Sequence, residues 1–160
     1  MGLWYYQTKK MKQIKLVNKK AYYQYSILRE YTAGIMLVGS EIKSILLNNV
    51  DFSDSYVYFK NRNELFLKNL SISKYKHSTW LNHEEKRDRK LLLNKYEINQ
   101  ISKLSKDNGI TIIPLEIVEI NNKIKIKIGV AKGKKLFDKK ISIKKRDIQR
   151  EIKRDMNINI

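Results

Sequence analysis

The sequence predicts a mainly β protein: an OB-like β-barrel with peripheral helices, followed by a basic, flexible C-terminal tail. Three observations predict it. Short runs of β-favouring residues alternate with turn signals, helical periodicity is confined to a few short stretches, and the sequence turns lysine-rich after Val130. A chain of 160 residues suffices for one domain with its own core and a tail or two. The expected division is a basic N-terminal extension over 1–17, the barrel over 18–131 and the tail over 132–160.

Tyr22 to Tyr31 is rich in aromatic and β-favouring residues, and Ala33-Gly34 is expected to break it before Ile35 to Val38. Ser40 to Asn49 reads as a helix, with Ser40 as its N-cap and Ile42, Ile45 and Leu46 on one face. Ser53 to Lys60, the turn Asn61-Arg62-Asn63 and Glu64 to Lys68 form a hairpin pattern. Residues 69–90 are polar and weakly periodic, which favours a functional loop over core. A helix is expected over Leu91 to Lys106, with Leu91, Ile98, Ile101 and Leu104 sharing a face and Asn108-Gly109 as the stop. Ile110 to Ile120 and Lys123 to Val130 read as two strands joined by Asn121-Asn122. In the second, Lys123, Lys125 and Lys127 alternate with Ile124, Ile126 and Ile128, giving one apolar and one cationic face. Periodicity does not fix the strand order. Beyond Val130, Ile141, Ile143, Ile148 and Ile152 can stripe a helix from about Lys144 to Met156. That segment either orders on a partner or packs back on the barrel.

The formal net charge of +18 has two possible sources, because Lys, Ile and Asn are all abundant, as drift of the coding DNA toward A and T would make them. Distribution separates the two. Residues 1–20 hold six Lys and no acid; residues 132–160 hold eleven Lys and Arg against four acids; the long middle carries only +5. Drift would spread evenly, so charge concentrated at both ends favours a polyanionic partner. Nucleic acid is favoured over membrane, since neither end alternates large apolar and basic faces along its length. No run reaches the roughly 18 apolar residues of a membrane span, and the order of apolar and basic residues in Met1 to Lys12 is wrong for a secretory signal. With no Cys there is neither a disulfide framework nor a thiolate metal site, and a cytoplasmic location is expected.

Catalysis finds no support. His77 and His83 are too far apart for one helical face, and His83-Glu84-Glu85 lacks the second His of a zinc helix, so a solvated loop histidine is the simpler reading. Gly129 and Gly133 resemble a phosphate loop only loosely. No metal or cofactor is expected. Binding has more behind it. Lys123, Lys125 and Lys127, with the cluster Lys86, Arg87, Arg89 and Lys90, can neutralise phosphates from a rigid scaffold. Among the barrel tyrosines Tyr22, Tyr23, Tyr25, Tyr31, Tyr56, Tyr58 and Tyr75, exposed ones can stack on unpaired bases, although a strand Tyr more often serves the core or rim.

Taken together, ordered motif blocks resemble the SsrA-binding (small protein B) family over about residues 16–155. They are Asn18-Lys19-Lys20-Ala21, Ala33-Gly34, Gly39-Ser40-Glu41-Ile42-Lys43-Ser44, Asp54-Ser55-Tyr56, Arg87-Asp88-Arg89-Lys90-Leu91-Leu92-Leu93-Asn94, and Ile128 to Lys135 with Asp138-Lys139-Lys140. The resemblance implies an OB-type barrel that binds the tRNA-like part of tmRNA and enters stalled ribosomes with elongation factor Tu and alanylated tmRNA. The tail then becomes helical in the empty mRNA channel against small-subunit rRNA. It implies that Leu92 and Asn94 hold tmRNA, with Glu41 and Lys43 as RNA-surface or structural candidates. With Asn18, Lys19, Lys20, Arg89, Lys90 and the row Lys123, Lys125 and Lys127, these make up the expected RNA-binding set. Lys132, Gly133, Lys134, Lys135, Asp138, Lys139 and Lys140 match the ribosome-engaging tail, to which Arg146 and Arg150 are added. Thr32 stands where an acid is common, Glu85 where a Pro is usual, and Lys140 where Arg closes the family's Asp-Lys-Arg. Met1 to Lys10 has no family counterpart, and Met11 would be a more typical start. A monomer is expected. The rival readings are a generic OB-fold single-strand binder and a ribosome-associated accessory protein.

Overall fold

The computed structural model describes residues 13–78, 81–134 and 144–153. The strands are β1 (Lys15–Val17), β2 (Tyr25–Ile35), β3 (Val50–Asp51), β4 (Tyr56–Asn61), β5 (Glu64–Lys68), β6 (Ser71–Ile72), β7 (Arg89–Leu92), β8 (Ile110–Ile120) and β9 (Lys123–Gly133). The helices are α1 (Lys19–Gln24), α2 (Gly39–Leu46) and α3 (Lys95–Leu104), with α4 over 144–153. Neighbouring strands run β8-β4-β5-β7-β2-β9, and β9 returns to β8, so the sheet closes into an OB-like barrel; β1 adds to the free part of the β8 edge. Every pairing is antiparallel. Closure removes the exposed strand edges that would otherwise template aggregation.

Two features of β8 and β9 make closure possible. Asn121 and Asn122 both take positive φ, 51° and 62°, the pattern of a two-residue turn whose twist matches its flanking strands. Asn tolerates that region better than other side-chain-bearing residues. In β8 the register to β9 shifts between Pro114 and Glu116. Pro114 has no N–H to give the ladder, and bulges are where sheets accept this. On the two sides of the shift, Ile112 and Ile117 face the barrel interior, whereas Ile113 and Leu115 join Ala21 and Ala131 in a smaller outer cluster under α1. Gly129 makes room there: a Cβ would lie 2.9 Å from Leu115 Cδ1.

Several elements differ from expectation. The aromatic run from Tyr22 begins in α1, because the Asn18 side chain accepts from Ala21 N–H and burying Ala21 on β8 outweighs local β preference. Ala33-Gly34 does not break β2. Gly34 lies inside it, opposite Leu92 of β7, where a Cβ would come 3.1 Å from Leu92 Cβ. Leu91 lies in β7, paired with Leu65 and Ile35, and the helix starts only at Lys95 with Asn94 as its cap. Leu91 still shares one core cluster with Ile98, Ile101 and Leu104, so the apolar pattern was genuine and its period misleading. On α2, Ile45 is buried while Ile42 and Leu46 are exposed, and the N-cap is Val38, not Ser40. The sheet also takes in residues 15–17 and extends to Gly133, beyond both expected boundaries of the barrel segment.

The loop expected over 69–90 contains β6, paired with β3, and is held from inside the protein. Glu41 and Arg89 are fully buried and joined as an ion pair, with Arg87 donating to the second Glu41 oxygen. Arg89 also donates to the carbonyls of Leu70, Arg87 and Glu85. Burial pushes the Glu41 carboxyl up, but the Val38 N–H and the two guanidiniums together outweigh it and hold the group below its ordinary value. A depressed carboxylate stabilises the fold above its unfolded pKa of about 4.3 and loses that contribution as pH falls through the lower folded value. Glu41→Gln should therefore cost about 3–5 kcal/mol in urea unfolding at neutral pH, because it leaves a buried guanidinium uncompensated. The penalty relative to wild type should shrink as the pH of the titration is lowered through the acid limb.

Candidate nucleic-acid interface

The row Lys123, Lys125 and Lys127 forms as its alternation predicts, with Ile126 and Ile128 buried on the opposite face. Its members are not equivalent. Lys127 Nζ lies 3.7 Å from Glu116, and Lys90 Nζ lies 3.8 Å from Glu64, so both are partly neutralised. Lys123 and Lys125 have no ion-pair partner among the described residues. They line a groove of about 400 Å³ with Gly34, Ile35, Ile42 and Leu92. Leu92 is 51 % exposed there, an unusual position for a leucine inside a strand. Gly34 brings β7 and β9 together around it, and Thr32 sits opposite Lys127 in the register. Cationic groups beside an exposed apolar contact suit a phosphate backbone and an unstacked base or sugar.

Other expected contacts lie outside this groove. Glu41 and Arg89 are buried and offer no surface to a ligand, which corrects their assignment as direct contacts and leaves them a structural role. Asn94 is exposed, but its side chain accepts from Glu97 N–H at 2.8 Å and caps α3. The Asn18 amide donates to the Pro114 carbonyl at 2.9 Å, next to the Asn18 N–H bond to Leu115, and so pins the β8 irregularity. Lys19 and Lys20 are exposed on α1. Lys43 is exposed on α2, with Nζ 5.3 Å from the Tyr75 ring centroid.

Toward the tail, Lys132 and Gly133 belong to β9, and Gly133 pairs with Tyr25. Lys134 donates its N–H to Gln24 and its Nζ to the Tyr22 carbonyl, so α1 holds the departing chain. Lys135, Asp138, Lys139, Lys140, Ile141 and Ile143 lie outside the described residues. Arg146 sits 5.8 Å from the Tyr23 ring centroid, Arg150 is exposed, and Ile148 and Ile152 of α4 are exposed as well.

The tyrosines divide. Tyr31 is buried, with its hydroxyl on Gln100, and Tyr58 donates to Asp88. Tyr22 donates to Glu116, and burial together with that carboxylate pushes its phenol up to about 12. Tyr75 is half-buried with its ring beside Lys43, and Tyr96, absent from the sequence-based candidates, is strongly exposed on α3. His83 departs furthest from expectation. It is buried, with Nδ1 2.8 Å from Ser40 Oγ and Nε2 2.8 Å from the Ile72 carbonyl. A carbonyl only accepts, so Nε2 carries a proton there, and Nδ1 shares the second bond with the Ser40 hydroxyl. No local sequence signal marks this, because the burial comes from the loop folding back on α2. Among the described residues no group of three or more His, Cys, Asp or Glu could hold a metal, and no helix is long and apolar enough to cross a membrane.

A closed OB-like barrel bearing two uncompensated lysines beside an exposed leucine, with a basic strand end leading into a tail, defines an RNA-binding module. The family model described as SmpB protein matches residues 15–158, and the chain belongs to that family. An SsrA-binding protein of Carboxydothermus hydrogenoformans is 44% identical over 144 residues, covering 90% of this chain and 96% of the relative. One from Acholeplasma laidlawii is 47% identical over 134 residues, covering 84% and 89%. A solved chain described under "tmRNA-SmpB: a journey to the center of the bacterial ribosome" superposes with a TM-score of 0.66 at 38% identity, covering 77% of this chain and 86% of its own.

Two outcomes separate contact from support. Lys125→Ala should weaken RNA binding and lower the log–log salt slope by about 0.7–0.9, measured by filter binding across a salt series. Asn94→Ala should cost about 1 kcal/mol of stability, while Asn94→Ser, which keeps a capping oxygen, should cost only a few tenths in the same urea titration.

Proposed function

We propose that this protein binds the tRNA-like part of tmRNA and delivers it to stalled ribosomes for trans-translation, so that the ribosome is rescued and the nascent peptide tagged. The observation that carries this reading is the family match, which runs through both the barrel and the tail. The SsrA-binding relatives, moreover, align over nearly their whole length. The protein acts by binding and not by catalysis. The groove of Lys123, Lys125 and Leu92 takes the tmRNA. The tail beyond Lys134 takes the small-subunit rRNA of the empty mRNA channel, with Lys135, Asp138, Lys139, Lys140, Arg146 and Arg150 as its contacts. Elongation factor Tu joins through the alanylated tmRNA, and the protein works in the cytoplasm as a monomer without a cofactor.

The physical logic is a division between a rigid reader and a segment that orders late. A barrel fixes phosphate-binding lysines with little entropy left to lose on binding, whereas a cationic tail defers its ordering until the ribosome supplies the counter-surface. Truncation after Lys134 leaves β9 and its clasp on α1 intact. It should keep tmRNA affinity within about two-fold while abolishing peptide tagging on ribosomes stalled in a reconstituted translation system. Parallel loss of both activities would contradict the division.

A further inference from the structure

On the other side of α2 from the lysine groove lies a second, larger cleft, of about 570 Å³, lined by Val38, Ser40, Lys43, Tyr75, His83 and Arg87. Helix α2 is the wall between them: Ile42 lines the groove and the adjacent Lys43 lines the cleft. The far wall of the cleft is the polar loop after β6, which has little apolar residue content with which to hold itself in place. Side chains hold it instead. The Asn82 amide bonds both the N–H and the carbonyl of Tyr75, at 3.3 and 3.0 Å, and His83 ties Ser40 to Ile72. Arg89 grips three loop carbonyls from below.

Holding a polar loop with this many internal bonds fixes one large group, the Tyr75 ring, over α2. Its face already takes the Lys43 ammonium, and a ring face that attracts a cation also stacks on a base. Arg87 is a second group of the lining. Arg87, whose guanidinium bonds Glu41 and the Met36 carbonyl, carries a buried Nε–H with no acceptor among the described residues. That atom is closed to solvent, and it is the rest of the Arg87 side chain that lines the cleft. The Ser40 hydroxyl, bonded to His83 Nδ1, lines the same cleft, and its oxygen keeps at least one lone pair free to accept.

We propose that this cleft receives a single unpaired nucleotide extruded from the structured RNA bound in the neighbouring groove; the inference rests on the functional reading above and extends it. Tyr75 stacks on the base, Lys43 moves from the ring to the phosphate, and the Ser40 oxygen accepts from the ribose 2′-hydroxyl or an exocyclic amine. A free inorganic anion fits less well. Arg87, the one arginine that lines it, is paired with Glu41, and Glu84 offsets Lys43, so the cleft holds little net positive charge and must gain its affinity from stacking.

The test uses the full chain with a transcript of the tmRNA tRNA-like domain, mapped by 2′-hydroxyl acylation with and without protein. Wild-type protein should alter reactivity at one unpaired nucleotide. Tyr75→Leu should erase that change and weaken binding roughly ten-fold, whereas Tyr75→Phe should retain both, since the ring and not its hydroxyl stacks. Lys43→Gln, on an exposed helix position that keeps the fold, should lower the salt slope with the altered nucleotide still visible. Lys125→Ala should weaken binding without erasing the signal. Wild-type affinity and an unchanged map for Tyr75→Leu overturn the cleft while leaving the groove intact. If wild-type protein fails to prefer the transcript over tRNA, the functional reading fails and the cleft proposal falls with it.

Discussion

Glu41 sits at the first turn of α2 with nothing of it exposed, and both carboxylate oxygens are taken by arginines that arrive from the far end of a long loop. The separation in sequence matters. Glu41 and Arg89 are 48 residues apart, so the contact closes a large part of the chain upon itself. Taking both charges out of water is expensive, and an apolar pair of similar volume would often be as stable. What an apolar pair would lack is direction. A guanidinium that also grips three carbonyls fixes the loop's path as well as its distance from α2. Because α2 is the common wall of the groove and the cleft, the geometry of both depends on this pair.

The barrel offers a second case in which position outweighs bulk. Its interior is built of mostly aliphatic side chains from all the barrel strands, with Ile45 of α2 and Ile101 of α3, and burial of this kind is tolerant of detail. The irregularity at Pro114 is less tolerant, because it turns Ile113 and Leu115 outward to meet Ala21 and thereby places α1. Asn18 then bonds the carbonyls on both sides of the irregularity. Asn18, a member of one of the motif blocks, thus has a duty in the fold. The same holds for Asn94, Glu41 and Arg89.

This explains how far the sequence could be read. The Lys and Ile alternation of β9 and the Asn-Asn turn were legible because each is a local rule with a period or a φ requirement that two or three residues reveal. Helix α1 was not legible, since Tyr22 and Tyr23 favour strands and only the distant β8 surface makes Ala21 worth burying. Leu91 misled for a related reason: strand β7 and helix α3 feed one cluster, and a shared core looks from sequence like a shared helix face. Of the candidate site, Lys123 and Lys125 followed from spacing, whereas their freedom from acids, unlike Lys127 and Lys90, depends on strand neighbours. The burial of His83 and Arg89 arises from a loop closure of high sequence separation, which no window along the chain contains.

The strands β2 and β9 connect these surfaces. They pair from Tyr25 with Gly133 to Gly34 with Lys125, so one end of the pair carries α1 and the start of the tail, and the other carries the lysine groove. The distance from Lys125 to Gly133 along a strand is roughly 25 Å. That exceeds the Debye length of about 8 Å at physiological salt, so phosphates held at one end scarcely screen or compete for cations at the other. The clasp of Lys134 on α1 fixes where the chain leaves the sheet, at the end opposite the groove. One continuous pair of strands thus sets the groove and the exit of the chain apart, with no hinge between them.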